Sequence, residues 1–234
     1  MKEVALRAIL FDFDGTIVDS ERVYEDIFKK WMWEKHISFA LQDKINAAIV
    51  PGLTWEDCFQ VVMNVTKKKF DVSQARDEVT RRIEQYILDV GLPLKPGVRA
   101  AIEQLSPRYQ LAIVSSSPAK VVERALRHHQ IDQYFTHRTT REDITYPKPH
   151  PEPYLYTLQA LQIKPEAAIA IEDSLPGAQS AAAAGIFVYV WPDQYFKPEQ
   201  FADFAKVVYS FDEIIRDVLW PQWALAHIAI PRIP

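Results

Sequence analysis

Residues 6–13 read LRAILFDF, and Asp14 and Gly15 follow at once. A short run rich in branched and aromatic residues, without polar alternation, is the pattern of a strand buried on both faces. Such a strand needs a sheet covered by helices on each side. This one stops at two acids, Asp12 and Asp14, with a single phenylalanine between them. A strand places residues of that spacing on the same side. Runs of the same kind recur at 109–116 (YQLAIVSS), 167–173 (AAIAIED) and 185–191 (GIFVYVW), with a weaker one at 205–210 (AKVVYS).

Helical segments separate the later runs. Ser117-Pro118 reads as an N-cap followed by a proline at the first helical position. Pro151 and Pro176 open two further segments in the same way, and Gly185 can close the second. SFDE at 210–213 reads as a capping box. Strand–helix alternation of this kind predicts a parallel sheet covered on both faces, an α/β fold with a Rossmann-like core. The first connection is too long for that rhythm. A strand–helix–strand unit takes roughly 30 residues, whereas about a hundred separate Asp12 from Ser115. Apolar residues recur at helical spacing through 19–90, with Pro51-Gly52 as a break. The division expected is an α/β core domain at 1–18 and 93–219, an inserted helical cap domain at 19–92, and a tail at 220–234. The tail, apolar and punctuated by prolines, is expected to pack back on the core, with cover for a subunit interface as the alternative.

Composition narrows the function classes. The net charge of −4 and the pI of about 5.9 argue against a general nucleic-acid or anionic-membrane binder. Cys58 is the one cysteine, so no intrachain disulfide forms, which fits a reducing compartment. The N-terminal apolar run meets Asp12 too soon for a signal peptide, and no run reaches the roughly 20 apolar residues of a membrane span. The expectation is a cytoplasmic protein, monomeric or a weak homodimer, with no nucleic-acid or membrane partner.

In open α/β sheets, ligands bind beyond the carboxyl ends of the strands. Three runs here end in polar residues: Asp12-Phe13-Asp14-Gly15-Thr16, Ser115-Ser116-Ser117 and Glu172-Asp173-Ser174. A parallel sheet brings all three to one edge, so four carboxylates share a crevice. Two of them about 4 Å apart repel by roughly 4 kcal/mol at an effective dielectric of 20. A hard divalent cation with oxygen ligands offsets that repulsion, and Mg²⁺ commonly combines one or two carboxylates with water and a phosphate.

The motif order, DFDGT, then SSS, then Lys148 in YPKPHPEPY, then IEDSLPG, resembles the haloacid dehalogenase superfamily, and within it the phosphatase and phosphosugar-mutase branch with a helical cap. The likeness runs from about Leu6 to Asp217. It implies that Asp12 is the nucleophile and Asp14 the general acid–base. It implies Mg²⁺ held by the Asp12 side chain, the Asp14 main-chain carbonyl and Asp173, with Glu172 either a further ligand or a supporting residue. Ser115, with the amide at Ser116, would bind phosphate oxygens, and Lys148 would bind the phosphoryl group and offset negative charge. Dehalogenating members lack the second aspartate, so Asp14 favours phosphoryl transfer.

Two positions depart from the mutases. Trp55 stands where they carry an arginine for the substrate's second phosphate, and Tyr24 where they carry a histidine. The expected activity is hydrolysis of a small phosphomonoester, a sugar phosphate or a phosphoglycolate-like acid. A phosphosugar mutase and a catalytically idle binding protein of the same fold are the alternatives. His128 and His129 are expected to answer a helix dipole, His150 to make packing contacts, Trp31 and Trp33 to pack within the cap, Cys58 to be buried and inert, and Lys67–Lys69 to be a solvated helix end.

Overall fold

A computed structural model of the chain describes residues 5–49 and 55–220. It divides into two compact units, residues 1–18 with 94–234 and residues 19–93. The expected tail lies outside the described residues except for Trp220, as does Pro51-Gly52.

The first unit is built on six parallel strands: β1 (Ala8–Phe11), β2 (Gln110–Val114), β3 (Phe135–Thr139), β4 (Ala168–Glu172), β5 (Phe187–Val190) and β6 (Ala205–Val207). Their order across the sheet is β3-β2-β1-β4-β5-β6. The chain thus runs outward on one side of β1, returns, and runs outward on the other. The reversal falls between β1 and β4, the point at whose carboxyl ends open α/β sheets bind their ligands. All four residues of β1 are fully buried, as a strand covered on both faces must be. Leu10 joins a core of Ala112, Val114, Tyr154, Ala170, Ala178 and Val188, and Phe11 meets Phe135 edge-on at 6.0 Å. Each large side chain so buried contributes about 1.5–3 kcal/mol.

Five helices complete this unit: α5 (Val98–Leu105), α6 (Ala119–His128), α7 (Glu152–Leu161), α8 (Leu175–Ala183) and α9 (Phe211–Leu219). Pro176 lies in the first turn of α8 as expected, and of the capping box expected at α9 the half made by Ser210 forms, while the Glu213 side chain accepts from the Tyr209 amide instead. Ser174 accepts from the Gly177 amide to start α8, and Ser210 accepts from the Glu213 amide to start α9. At α6 the expectation fails. Pro118 takes the N-cap position, and the Ser117 hydroxyl makes no cap bond because it is committed elsewhere.

Among its described residues the second unit holds four helices: α1 (Ser20–Glu34), α2 (Phe39–Ala48), α3 (Trp55–Thr66) and α4 (Val72–Asp89). Their core is aromatic. Trp31 stacks on Phe28 at 5.9 Å and meets Phe59 and Phe70 edge-on. Glu78 on α4 receives the Trp31 indole N–H at 3.1 Å, Lys35 at 3.0 Å and Arg82 at 2.6 Å, which ties α4 to α1. Trp33 does not pack as expected; it is 64 % exposed. The lysine run is only partly a solvated helix end, because the Lys68 ammonium donates to the carbonyls of Lys35 and His36 where α1 ends. No described helix is long and apolar enough to cross a membrane.

Candidate active site at the carboxyl edge of the sheet

The register of the central strands builds the site. Phe11 lies level with Ile113 on β2 and Ile171 on β4, and the Asp12 amide donates to the Ile171 carbonyl at 2.9 Å. Asp12 is therefore pinned just past the last rung of the ladder, level with Glu172 and one residue short of Asp173. Ser115 is fixed likewise, its amide donating to Thr139 at 2.9 Å.

Lys148 reaches this edge from the loop before α7. Its ammonium donates to Asp12 Oδ1 at 2.7 Å, Glu172 Oε1 at 2.6 Å and the Val114 carbonyl at 2.9 Å. Glu152, in the first turn of α7, holds the loop by accepting the amides of Thr145 and Tyr146 at 2.8 and 2.7 Å. Tyr154, two residues further along α7, donates to the same Glu172 oxygen at 2.6 Å. Glu172 is thus clasped by a lysine and a tyrosine through one oxygen, while its other oxygen lies against α8. A Cβ placed on Gly177 would stand 2.1 Å from that oxygen, so only glycine fits there.

Gly15 has the matching role at Asp173. It has φ +77°, and a Cβ on it would lie 1.8 Å from Asp173 Oδ2. The turn after Asp14 is closed by Gly15 N–H to Val18 at 2.7 Å and Ile17 N–H to Phe13 at 2.9 Å.

The electrostatics are those of an acidic group short of positive charge. Burial, reinforced by Glu172, pushes the Asp12 carboxyl up from 3.8 to about 8 against the pull of Lys148. Burial and the carboxylates of Asp12, Glu172 and Asp193 push Asp173 well above the ordinary range. Burial alone would lower Lys148, but Asp12 and Glu172 outweigh it and raise the ammonium above the usual lysine value. Asp12, Glu172 and Asp173 each offer an oxygen within 4.8 Å of the others. One lysine cannot balance three ionised carboxyls, and without further positive charge Asp12 and Asp173 hold on to protons. An all-oxygen donor set whose protons a cation can displace fits a hard divalent cation.

Asp14 stands apart from the three. Its carboxylate accepts the Ser117 hydroxyl at 2.5 Å. Ser115 Oγ accepts the Ser117 amide at 2.9 Å, which leaves the Ser115 hydroxyl proton to donate to another group. Ser116 is exposed, and its carbonyl accepts from Arg141 at 3.0 Å. The structure therefore gathers Asp12, Asp14, Ser115, Lys148 and Asp173 at one edge, with Ser116 at its rim, and adds Glu172, Tyr154, Ser117 and Gly177. His150 makes a local contact, accepting the Glu152 amide at Nδ1. His128 and His129 end α6, and Cys58 is buried in the helical unit. Trp55 is half-buried there, its ring 5.6 Å from Phe28 and 6.1 Å from Phe59. 

Comparison with known proteins gives a concordant picture. A profile of haloacid dehalogenase-like hydrolases matches residues 9–191. A phosphorylated carbohydrates phosphatase of Thermotoga maritima is 28 % identical over 182 residues, covering 77 % of this chain and 82 % of its own. The CbbY protein of Rhodobacter sphaeroides, solved in complex with phosphate, superposes with a TM-score of 0.67 at 22 % identity, over 89 % of this chain and 96 % of that one. Bacillus subtilis YfnB, solved bound to magnesium, superposes with a TM-score of 0.73 at 18 % identity, over 92 % and 99 %. 

Proposed function

The chain belongs to the haloacid dehalogenase-like hydrolases, and on that premise we propose that it is a Mg²⁺-dependent phosphatase that cleaves a small phosphomonoester by way of a phosphoryl group carried on Asp12. The observation that carries the reading is the contact of Lys148 with Asp12, 2.7 Å long, in a buried group of three carboxyls, Asp12, Glu172 and Asp173, that share this one lysine. A phosphoryl-transfer site needs fixed positive charge around a positioned nucleophile and little other chemistry. The Thermotoga maritima phosphatase supports a phosphorylated carbohydrate as the substrate class.

In this reading an Asp12 oxygen attacks phosphorus, and the bond from phosphorus to the leaving oxygen breaks. Asp14 gives that oxygen its proton. Asp14, now a carboxylate, takes a proton from water, whose oxygen attacks the phosphoryl group and frees Asp12. Covalent catalysis thus divides one hard displacement into two easier ones. Lys148 holds Asp12 in place and offsets charge on the phosphoryl oxygens, to which Ser115 and the amide at Ser116 donate. Mg²⁺, held by Asp12, Asp173 and the Asp14 carbonyl, would supply neutralisation of phosphoryl charge. Glu172, already clasped by Lys148 and Tyr154, serves mainly as the counter-ion that orients the lysine.

A panel of phosphomonoesters that includes hexose phosphates and phosphoglycolate tests the proposal by release of inorganic phosphate. Turnover of at least one member with Mg²⁺, abolished by chelator and by Asp12→Asn, is the expected result. Full turnover in excess chelator, or none with any ester, would overturn it.

A further inference from the structure

Three consecutive serines end β2, and their hydroxyls diverge. Ser115 Oγ accepts the Ser117 amide at 2.9 Å, a local bond that turns the backbone sharply. Ser116 is exposed. Ser117 is then held at both main-chain groups, its amide on Ser115 and its carbonyl accepting from Arg141 N–H at 3.2 Å. From this fixed backbone its hydroxyl reaches Asp14 Oδ2 at 2.5 Å, across 103 residues of sequence.

We propose that Ser117 is the positioning residue of Asp14, setting the side-chain conformation from which Asp14 exchanges protons with the leaving oxygen and with water. This deepens the proposed function and rests on its reading of Asp14. A half-buried aspartate on a turn has several rotamers open to it. A proton must be handed over at hydrogen-bond distance, and a misplacement of about 1 Å can cost about 10²-fold. A donor on a pinned backbone removes the alternatives before substrate binds. The other role open to Ser117 is direct contact with the phosphoryl group, as for Ser115. The two roles differ in a measurable way. A positioning residue acts through Asp14, so it matters more when the leaving group needs its proton. A phosphate contact matters equally for every ester.

The test compares kcat/KM for p-nitrophenyl phosphate, whose leaving group needs little protonation, with that for benzyl phosphate, whose leaving group needs much. Both are measured with Mg²⁺ on the full chain, wild type and Ser117→Ala, with melting temperatures in parallel. The expected result is a rise of about tenfold in the p-nitrophenyl to benzyl ratio. Ser117→Thr, which keeps the hydroxyl, should restore the wild-type ratio. In an Asp14→Asn background, Ser117→Ala should shift the ratio no further. An equal loss on both esters, or a shift that persists without Asp14, would overturn the inference while leaving the phosphatase reading intact. A wild-type protein that turns over neither these esters nor any member of the phosphomonoester panel would remove both.

Discussion

Lys148 and Glu172 form a buried ion pair, Nζ to Oε1 2.6 Å, with side chains 7 % and 0 % exposed. The same ammonium bonds Asp12. One lysine thus ties the third and fourth polar motifs to the first. Replacing it by methionine leaves two buried acids without their cation. Turnover should fall about 10²–10³-fold, and the chelated protein should lose about 3 kcal/mol. Adding Glu172→Gln removes one of those acids, so melting should recover in part while activity stays low. Recovery of turnover in the double variant would mean that Lys148 only neutralises Glu172.

Gly15 and Gly97 both have positive φ, +77° and +82°, but only Gly15 faces a carboxylate. A Cβ there would strike Asp173, whereas at Gly97 the nearest atom is 3.7 Å away. Either alanine costs about 1–2 kcal/mol of backbone strain. Gly15→Ala should in addition weaken Mg²⁺ binding more than tenfold by titration calorimetry, because outer supports of a metal ligand are worth about that much. Gly97→Ala should bind Mg²⁺ as the wild type does. Equal affinities in the two variants would remove Asp173 from the ligand set.

The acidic cluster sets a pH dependence whose sign follows from Asp12. Its folded carboxyl, at about 8, lies above the ordinary 3.8, so the folded state holds a proton that the unfolded chain has released. The stability this gives is complete below about pH 4 and is lost as pH rises towards 8. The cation competes for the same oxygens. The rise in melting temperature caused by Mg²⁺ should therefore be larger at about pH 8 than at about pH 6, with protons released on binding. A rise that shrank with pH would contradict this arrangement.

Trp55 sets its half-buried ring against Phe28 and Phe59 in the helical unit, and by the resemblance it stands where phosphosugar mutases would carry an arginine. A mutase has to retain a doubly phosphorylated intermediate, and an uncharged ring provides no bidentate partner for the distal phosphate. With glucose 1-phosphate and a trace of the 1,6-bisphosphate, phosphorus NMR should show inorganic phosphate ahead of glucose 6-phosphate. The reverse order would favour a mutase.

The parts of this architecture that could be read in the sequence are those with local signatures. β1, β2, β4 and β5 are continuous apolar runs because both faces of the sheet are covered, and acids at their ends stand out against that background. Strand β3, FTHRT, escaped because it is an edge strand whose middle residues are polar and partly exposed. Tyr154 escaped because a tyrosine in an apolar helix reads as packing until the fold sets its hydroxyl on Glu172. Ser117 was misread as a helix cap. The local Ser-Pro pattern was real, but its hydroxyl is taken by an acid 103 residues away. Sequence neighbours carry no trace of that competition.

Asp12 as the phosphorylated nucleophile is the point on which the rest depends. Mixing the Mg²⁺-loaded protein with substrate and quenching in acid within milliseconds, then mapping the peptides by mass spectrometry, tests it directly. A phosphoryl adduct on the peptide that contains Asp12, removed by hydroxylamine and missing from Asp12→Asn, is the expected result. Phosphate release in a burst with no adduct at Asp12, or an adduct on another residue, would contradict it.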